Sequence, residues 1–354
     1  MSTARTTVSE ARLSELALAA LRGFGLAPQD AADASRILVM ADLLGLHTHG
    51  VSRIQSYGER LDMGGIKARP DIRRERVAPT MVKIDGDNGV GPLVGYRALE
   101  AALEIARESG MAIVFARASN HFGPVAPYCL IAAEAGFASI IGSNATTTIA
   151  PWGGRGERLG NNPLGMCVPN PDPVGNPILL DMAMSVVARA KIRQALARGE
   201  SIPATWATDR DGRPTTDPAA ALEGFLQPVG GYKGYGLALM VDLLAGLLSG
   251  AAYLTHVGSW LDNPDEPQNL GHFFLLIDTK PLGNQNWLAE RLADFCGILH
   301  STPPADPDAP VLLPGEIELG NMKRQRREGV TLESALLAKL ETYAARGLER
   351  GETA

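Results

Sequence analysis

Three short stretches, far apart in the chain, combine side chains that transfer protons or bind anions with glycines. They are residues 49–53 (His-Gly-Val-Ser-Arg), 120–123 (Asn-His-Phe-Gly) and 233–236 (Lys-Gly-Tyr-Gly). Histidine titrates near neutral pH, and arginine binds a carboxylate through two parallel hydrogen bonds. Glycine lets the backbone approach a ligand closely. Together the stretches indicate acid/base chemistry on a small organic acid.

The composition narrows the class of protein. The 354 residues exceed the size at which a single core stops growing, which indicates more than one lobe. A net charge of -6 argues against a nucleic-acid partner, because nucleic-acid binding needs a basic surface. The widely spaced Cys129, Cys167 and Cys296 match neither a disulfide framework nor a metal motif. We therefore expect a reducing, cytoplasmic setting.

One apolar stretch, residues 236–254, is long enough to resemble a membrane span. It contains Asp242, and a carboxylate inside a bilayer costs about 2.5–3.5 kcal/mol. The stretch is therefore predicted to be a buried core helix, and no membrane partner is expected.

The elements that must position the three stretches follow from the spacing of apolar residues. Residues 1–25 have the pattern of an amphipathic helix with a capping box at Thr7 and Glu10, and not that of an export signal. A second helix is predicted over residues 31–46, which places His49 just beyond its end.

From residue 80 the pattern alternates between strand and helix. Strands are predicted at 81–85, 111–116 and 137–142, and helices at 93–109 and 125–135. This alternation predicts an α/β fold in which a sheet is layered with helices. The glycines at 86, 89, 91 and 95 lack the GxGxxG spacing of a Rossmann site. Residues 63–79, rich in glycine, proline and charge, predict an exposed connection before this unit.

At these residues the chain resembles the second, non-Rossmann type of the malate/L-lactate dehydrogenase family. That family includes ureidoglycolate, sulfolactate and 2,3-diketogulonate oxidoreductases and cyclic imine reductases. The resemblance extends over nearly the whole chain and rests on eight motifs in the same order: residues 49–53, 120–121, 150–154, 160–163, 181–183, 215–218, 233–236 and 314–316. The chain departs from the common pattern at Asn161, Met184 and Ala190, and Met184 is closer to the diketogulonate branch.

The resemblance implies an enzyme that depends on NAD or NADP, with a mixed sheet, a family-specific nucleotide-binding fold and a helical domain formed by the chain ends. It implies a homodimer with the active site near the subunit interface. We expect three parts: an N-terminal helical and substrate segment (1–79), an α/β core with the NAD(P)-binding region (80–300), and a C-terminal loop and helix packed on the first part (301–354). The expected reaction interconverts a 2-hydroxy acid and a 2-oxo acid; reduction of a cyclic imine carboxylate is the alternative.

The catalytic residues implied by the resemblance are His49, His121 and Arg53. Either histidine suits a proton transfer at neutral pH. Arg53 would bind the substrate carboxylate, and Thr48 could donate a hydrogen bond to it. Two other interpretations stay open for the whole site: a zinc-dependent hydrolase or lyase built on His47 and His49, and a noncatalytic binding protein.

The residues expected at the coenzyme rest mainly on their positions in the family. Asp181 would accept a hydrogen bond from a ribose hydroxyl, and Lys233 would meet the pyrophosphate or a carboxylate. A cation at a helix N-terminus is electrostatically unfavourable, which itself indicates an anionic ligand beside Lys233. The other expected coenzyme contacts are Trp152, Gly153, Asn162, Pro163, Met182, Ala183, Gly234, Pro314, Gly315 and Glu316. No metal is expected, and the histidines at 47, 256, 272 and 300 are predicted to be structural.

Overall fold

The structure, a computed structural model, describes residues 4–351; residues 1–3 and 352–354 of the predicted end segments lie outside the described residues. The strands are β1 (Arg5–Val8), β2 (Arg73–Ala78), β3 (Met81–Asp85), β4 (Met111–Ser119), β5 (Phe137–Ser143), β6 (Thr147–Ile149), β7 (Leu159–Gly160), β8 (Leu164–Val168), β9 (Ile178–Met182), β10 (Leu270–Asp278) and β11 (Val330–Glu333). The helices are α1 (Glu10–Gly23), α2 (Pro28–Leu43), α3 (Arg53–Met63), α4 (Gly91–Ser109), α5 (Ala126–Glu134), α6 (Arg189–Arg198), α7 (Pro218–Glu223), α8 (Tyr232–Asp242), α9 (Gln285–His300), α10 (Glu316–Glu328) and α11 (Ser334–Gly351).

A seven-stranded mixed sheet forms the centre, with strand order β2-β3-β4-β10-β5-β8-β9. The pair β3 and β4 is parallel, whereas the other neighbours in this sheet are antiparallel. A doubly wound Rossmann sheet is mostly parallel, so this sheet has a different architecture. The predicted α/β class with a mixed, non-Rossmann sheet is confirmed.

Helices and loops cover both faces of the sheet. Successive side chains of a strand point to opposite faces, so Val114 and Phe274 belong to one apolar cluster while Phe115 and Phe273 belong to another. The first cluster includes the apolar faces of α1, α2, α4 and α5. The second lies under α8 and the neighbouring loops. Because both faces are buried, the central strands β4, β5 and β10 are apolar over most of their length.

The two ends of the chain pack together. The strands β1 and β11 pair antiparallel, and α1 lies against α11. The two helices approach so closely that a Cβ atom at Gly347 would lie 2.0 Å from the carbonyl oxygen of Ala19. The helical part formed by both chain ends, which the sequence predicted, is confirmed.

Three local predictions were wrong in part. The connection 63–79 contains β2, an edge strand whose largely charged sequence lacks the alternation of a half-buried strand. The first helix is capped by Ser9, which accepts a hydrogen bond from the Arg12 amide, and Thr7 lies in β1 instead. The apolar stretch 236–254 forms the end of α8 and a π-helical turn, Leu243–Leu247.

That apolar stretch is not buried on every side. Met240 and Leu248 are 52% and 53% exposed in the single chain, because only one side of α8 packs on the sheet. Within residues 4–351, no helix has the length and apolar character needed to cross a bilayer.

Candidate active site

A buried carboxylate organises the turn that carries His49. Asp42, in the last turn of α2, hydrogen-bonds to Nδ1 of His47 at 2.9 Å and accepts the Val51 amide proton at 2.7 Å. A Cβ atom at Gly50 would lie 2.2 Å from this carboxylate, so the turn requires glycine there. Burial raises the pKa of Asp42, and the hydrogen bonds to His47 and Val51 oppose that rise. Asp42 thus holds His47–His49, a single 3-10 turn, between α2 and α3.

His49 is the last residue of this turn, and Arg53 is the first residue of α3. The ring Nδ1 of His49 lies 2.8 Å from the Thr48 hydroxyl, and Nε of Arg53 donates to the Thr48 carbonyl at 2.6 Å. We predicted that one helical turn would place both side chains on the same face. The two residues lie in different elements instead, since α3 begins only at Arg53, and what they share is their contact with Thr48.

His121 completes the group from a different part of the chain. Its Nδ1 lies 2.8 Å from the hydroxyl of Tyr57, and its ring centroid is 5.6 Å from that of His49. The ring of Trp260 lies 5.0 Å from His121 and 5.2 Å from the Arg53 guanidinium carbon. The structure therefore brings His49, His121 and Arg53 together, as the sequence analysis expected of the catalytic residues.

Tyr57 and Trp260 were missed by the sequence analysis. Tyr57 lies four residues after Arg53 on α3, so helical spacing could have found it. Trp260 is carried by an irregular loop more than two hundred residues later, and no local pattern in the sequence connects it to the site.

Both histidines are held uncharged by their surroundings. Burial, and then the nearby Arg53 cation, lowers the pKa of His49 to about 4. Burial also lowers the pKa of His121 well below its usual value, with smaller effects from His49, Arg53 and His272. Because both rings use Nδ1 for the contacts above, Nε2 is the atom of each that remains to meet a substrate.

The coenzyme motifs are joined by backbone hydrogen bonds. The Met184 amide donates to the Asn161 carbonyl at 2.7 Å, and the Val229 amide donates to the Met184 carbonyl at 2.8 Å. A Cβ atom at Gly234 would lie 1.7 Å from the Val229 carbonyl oxygen. Three motifs that are distant in sequence therefore meet at the loop that precedes α8.

The N-terminus of α8 has the features of an anion site. Gly230 and Gly231 both have positive φ, at 64° and 66°, which orients backbone amides into a concave loop. Lys233 lies exposed in the first helical turn, where the helix dipole favours negative charge. The buried Ser185 hydroxyl has no hydrogen-bond partner among the described residues, although its backbone is bridged to Pro228 beside this loop. These donors fit the pyrophosphate of a dinucleotide.

Trp152 and Gly153 lie beside the same loop. Trp152 is 55% exposed, its ring lies 6.4 Å from that of Tyr232, and it approaches the backbone at Gly231. Gly153 has φ 80° and open space around it. The predicted contact of these two residues with the coenzyme remains a prediction, and their position beside α8 supports it.

Asp181 connects β9 to the segment that carries His121. Its carboxylate accepts the Ala126 amide proton at 2.8 Å, at the start of α5. Burial raises the pKa of Asp181 to about 6, although hydrogen bonds from Ala126 and Val125 lower it in part. One carboxylate oxygen is thus occupied by the helix, and hydrogen bonding to a ribose stays a prediction for the other. Its neighbour Met182 pairs with Leu164 of β8, and Ala183 follows directly.

Asn162 has a structural function inside the fold. Its side-chain oxygen accepts the Ala145 amide proton, and its nitrogen donates to the Ala238 carbonyl and to Asp242. The side chain is fully buried and holds α8 against the sheet. A contact between this amide and a coenzyme would require these bonds to break. Next to it, the carbonyl of Pro163 accepts the Ser143 amide proton.

The segment 314–316 lies along β9. The Pro314 carbonyl accepts the Leu179 amide proton at 3.1 Å, and Gly315 has φ 91° close against Leu179. Glu316 bonds to His300 at 2.9 Å. The segment therefore lies against the strand that carries Asp181. This position is compatible with its predicted contact with the coenzyme, which stays a prediction.

Ring nitrogens of His272 and His47 are engaged inside the fold. Both ring nitrogens of the buried His272 are hydrogen-bonded, to Ser143 and Ser119, and its ring stacks on Phe122. No group of three or more His, Cys, Asp or Glu side chains in the described part of the chain is arranged to hold a metal ion. The zinc interpretation of His47 and His49 therefore lacks a ligand set in that part, since His47 is turned to Asp42.

Comparison with known proteins decides the family. The family model described as malate/L-lactate dehydrogenase matches residues 8–341. The chain belongs to this family. The malate dehydrogenase of Pyrococcus horikoshii is 35% identical over 347 residues, 96% of this chain and 95% of that protein.

Other members of the malate/L-lactate dehydrogenase family differ in substrate and coenzyme. The ureidoglycolate dehydrogenase (NAD(+)) of Escherichia coli is 33% identical and covers 87% of each chain. The (2R)-3-sulfolactate dehydrogenase (NADP(+)) of Chromohalobacter salexigens is 34% identical over 93% of this chain and 95% of that protein.

Two solved structures have the same fold as this chain over nearly its whole length. Sulfolactate dehydrogenase from Methanocaldococcus jannaschii has a TM-score of 0.88 and 33% identity, covering 97% of both chains. The delta1-piperideine-2-carboxylate reductase from Pseudomonas syringae has a TM-score of 0.85 and 30% identity, covering 96% of this chain and 99% of that one. The predicted family and its non-Rossmann fold are confirmed, and the chain is an enzyme of the dehydrogenase and reductase type.

Proposed function

We propose that this enzyme transfers a hydride between NAD or NADP and carbon 2 of a small acid, interconverting a 2-hydroxy acid and a 2-oxo acid. The observation that carries this proposal is the meeting of two uncharged histidines, 5.6 Å apart, beside an arginine. Proton transfer and carboxylate binding are the two tasks that a protein must perform next to a hydride transfer. The coenzyme class follows from relatives named for NAD(+) and for NADP(+).

Arg53 binds the substrate carboxylate in this proposal. Its Nε is used by the Thr48 carbonyl, which leaves the two terminal nitrogens for a bidentate contact. Across the described residues no carboxylate side chain pairs with Arg53, whose guanidinium lies instead against the Trp260 ring. The substrate anion is therefore the natural partner for this cation.

Carboxylate binding prepares the proton donor. The positive charge of Arg53 contributes to the lowered pKa of both His49 and His121. When a substrate carboxylate neutralises that charge, protonation of the nearby imidazole costs less free energy. One of the two histidines then donates its proton to the carbonyl oxygen in reduction, or removes the hydroxyl proton in oxidation.

The coenzyme would lie along the loop before α8. Gly230, Gly231, Lys233 and Ser185 would bind the pyrophosphate, and Asp181 a ribose hydroxyl. The nicotinamide, when bound, supplies or accepts the hydride. The chain orients it by the shape of this loop, which Gly234 makes possible.

Reduction of a cyclic imine carboxylate is the second candidate. It is supported by the structural likeness to the delta1-piperideine-2-carboxylate reductase. The same residues serve both reactions, because an imine nitrogen accepts a proton where a carbonyl oxygen would. Family membership favours either reaction over the zinc-dependent hydrolase or lyase.

A cytoplasmic homodimer completes the proposal. Met240, Leu247 and Leu248 are each about half exposed, at 52%, 48% and 53%, on the outer side of α8 and the turn after it. Large apolar side chains grouped on a surface favour contact with another protein. The cytoplasm suits the free thiols of Cys129, Cys167 and Cys296.

The decisive experiment measures absorbance at 340 nm with NADH or NADPH and a panel of substrates. The panel contains pyruvate, oxaloacetate, sulfopyruvate, a sugar-derived 2-oxo acid and a cyclic imine carboxylate, each at several pH values. Oxidation of one coenzyme with a 2-oxo acid supports the first candidate, and oxidation with the imine alone supports the second. Nucleotide binding without turnover on any panel member would contradict the hydroxy-acid proposal.

A further inference from the structure

Arg60 is a buried cation that contacts only uncharged groups. Its side chain, 2% exposed, donates five hydrogen bonds. The acceptors are the carbonyls of Gly65 (3.1 Å), Pro264 (3.1 Å) and Glu266 (2.6 Å) and the side-chain oxygens of Asn120 (2.8 Å) and Gln268 (3.3 Å). No carboxylate in the described part of the chain forms an ion pair with it.

A buried charge without a counter-ion is costly. Burial lowers the pKa of Arg60, which means that the environment disfavours its charge. An apolar side chain of similar length would avoid this cost if Arg60 only filled space. The contacts of Arg60 therefore have to account for its presence.

Those contacts join the separate segments that form the candidate active site. Arg60 lies on α3, seven residues after Arg53 and three after Tyr57, on the same side of the helix. Asn120 precedes His121 in the chain. The oxygen of Gln268 accepts both from Arg60 and from the His121 backbone amide, at 3.2 Å.

The same guanidinium also anchors the loop of Trp260. Pro264 and Glu266 belong to the segment between Gly258 and Gln268, whose ends are joined by a hydrogen bond between the Gly258 amide and the Gln268 carbonyl. Trp260 stands on this segment and contacts both His121 and Arg53. One side chain thus links the substrate-binding helix, the proton-transfer histidine and the aromatic wall.

We propose that Arg60 is a positioning residue that keeps His121 and Trp260 in their positions beside Arg53. The inference rests on the function proposed above. Arg60 does not touch the substrate in this scheme. It acts through Asn120, Gln268 and the Trp260 loop, because five donors in one rigid plane fix several backbone segments at once.

The first test compares Arg60→Lys and Arg60→Met with Arg97→Met. Arg97 lies on α4 and pairs with Asp30, Asp33 and Glu100, away from the site. Arg97→Met therefore removes an arginine that supports the fold only, which makes it the matched control. Displacements of about 1 Å at an active site cost roughly 100-fold in rate. We expect both Arg60 variants to lower kcat about 10- to 100-fold, while the dissociation constant for NADH or NADPH stays within about two-fold.

Arg97→Met should lower Tm and leave kcat within about two-fold, since its ion pairs are remote from the histidines. The folding of Arg60→Lys is checked by circular dichroism. The proposal is overturned if the folded variant retains the kinetic constants of the unchanged enzyme. If Arg60→Met fails to fold, Arg60→Lys and the Gln268 variants below carry the test.

The second test uses Gln268, whose side-chain oxygen accepts from Arg60 and from the His121 amide and whose side-chain nitrogen donates to the Gly258 carbonyl. The groups facing His121 are His49 from the 3-10 turn, Arg53 and Tyr57 from α3, and His272 from β10. Gln268→Glu keeps both acceptor contacts, loses the bond to the Gly258 carbonyl, and adds a negative charge between Arg60 and the His121 amide. That charge should shift the histidine limb of the kcat/KM profile to higher pH by about half a unit or more.

Gln268→Met removes the shared acceptor and should lower kcat about 10-fold, with the dissociation constant of the coenzyme unchanged. A purely structural role for this network predicts a loss of Tm without any movement of the pH profile, and that result would refute the inference. A failure of the proposed function is recognised separately, because the unchanged enzyme would then show no turnover with any panel member.

Discussion

Single residues decide the protonation state of the candidate site. His49 is held at Nδ1 by the Thr48 hydroxyl, and His121 by the Tyr57 hydroxyl. A hydroxyl can donate to a neutral ring and accept from a protonated one, so neither contact blocks a change of charge. The structure leaves both rings as candidates for the proton transfer, and kinetics must separate them.

Replacing each histidine by asparagine should identify the proton donor. We expect His49→Asn and His121→Asn to lower kcat by about 100- to 10,000-fold where proton transfer is lost. In the variant that has lost the donor, kcat should also become independent of pH across the histidine range. Arg53→Ala should instead raise KM for the acid by 100-fold or more, because a bidentate contact is removed. Steady-state kinetics against pH check all three, and near-normal constants would refute the site.

Asp181 should make the folded protein less stable at neutral pH than its asparagine variant. Burial raises its folded pKa from 3.8 to about 6, so its contribution to stability is present below pH about 4 and is lost as pH rises through 6. Asparagine keeps an acceptor for the Ala126 amide without the charge. Asp181→Asn should therefore increase the free energy of unfolding by roughly 1–3 kcal/mol at pH 7 and leave it unchanged at pH 4.

Urea unfolding at pH 4 and pH 7 measures the stability effect of Asp181→Asn. The same variant should bind the coenzyme more weakly if Asp181 accepts from a ribose hydroxyl. A gain in stability without any loss of coenzyme affinity would assign Asp181 to the start of α5 alone.

At the scale of elements, the loop before α8 depends on close packing of backbone on backbone. Gly234 leaves no room for a side chain beneath Val229, whereas Gly236, two residues later in the same helix, faces open space. The two glycines of one motif therefore have different physical functions.

The pair Gly234→Ala and Gly236→Ala tests this difference. Gly234→Ala must displace the loop, and we expect it to weaken coenzyme binding at least 10-fold, which is about 1.4 kcal/mol. Gly236→Ala should leave binding within about two-fold and stabilise α8 by roughly 0.5–1 kcal/mol. Fluorescence titration with NADH or NADPH provides the measurement. Equal weakening in both variants would mean that the coenzyme itself occupies the space above Gly236.

At the scale of the whole molecule, the packed chain ends support the site from a distance. The helix α11 lies on α1, which lies on α2, and α2 carries Asp42 to the turn of His49. The terminal helices are thus part of the scaffold of the site, although their own residues are remote from the chemistry.

Tight packing of α1 on α11 predicts a cost for any side chain at Gly347. Gly347→Ala places a Cβ atom 2.0 Å from the Ala19 carbonyl oxygen and should lower the free energy of unfolding by about 1–3 kcal/mol. Gly320→Ala in α10 is the control, because its Cβ atom meets nothing within 4 Å. Thermal unfolding of the two variants should give a lower Tm for the first only. A matching fall for Gly320→Ala would show that the crossing of α1 and α11 is not what requires glycine.

The sequence by itself determined the class of fold, the family and the main catalytic candidates. Local sequence pattern was enough for the strand and helix alternation after residue 80, because the central strands are largely apolar, α4 is amphipathic and α5 is buried on nearly all sides. His49, His121, Arg53 and Lys233 were recognisable because each stands in a short motif with glycine.

Only the tertiary structure decided which distant groups surround those candidates. Trp260 and Gln268 come to His121 from an irregular loop, and Arg60 joins them to α3. Asn162 is a residue whose motif predicted a contact with the coenzyme. In the structure its side-chain amide bonds to Ala238 and Asp242 and so holds α8. The physical reason is the same in each case: hydrogen bonds and ring contacts depend on distances in space, which spacing along the chain does not encode outside regular helices and strands.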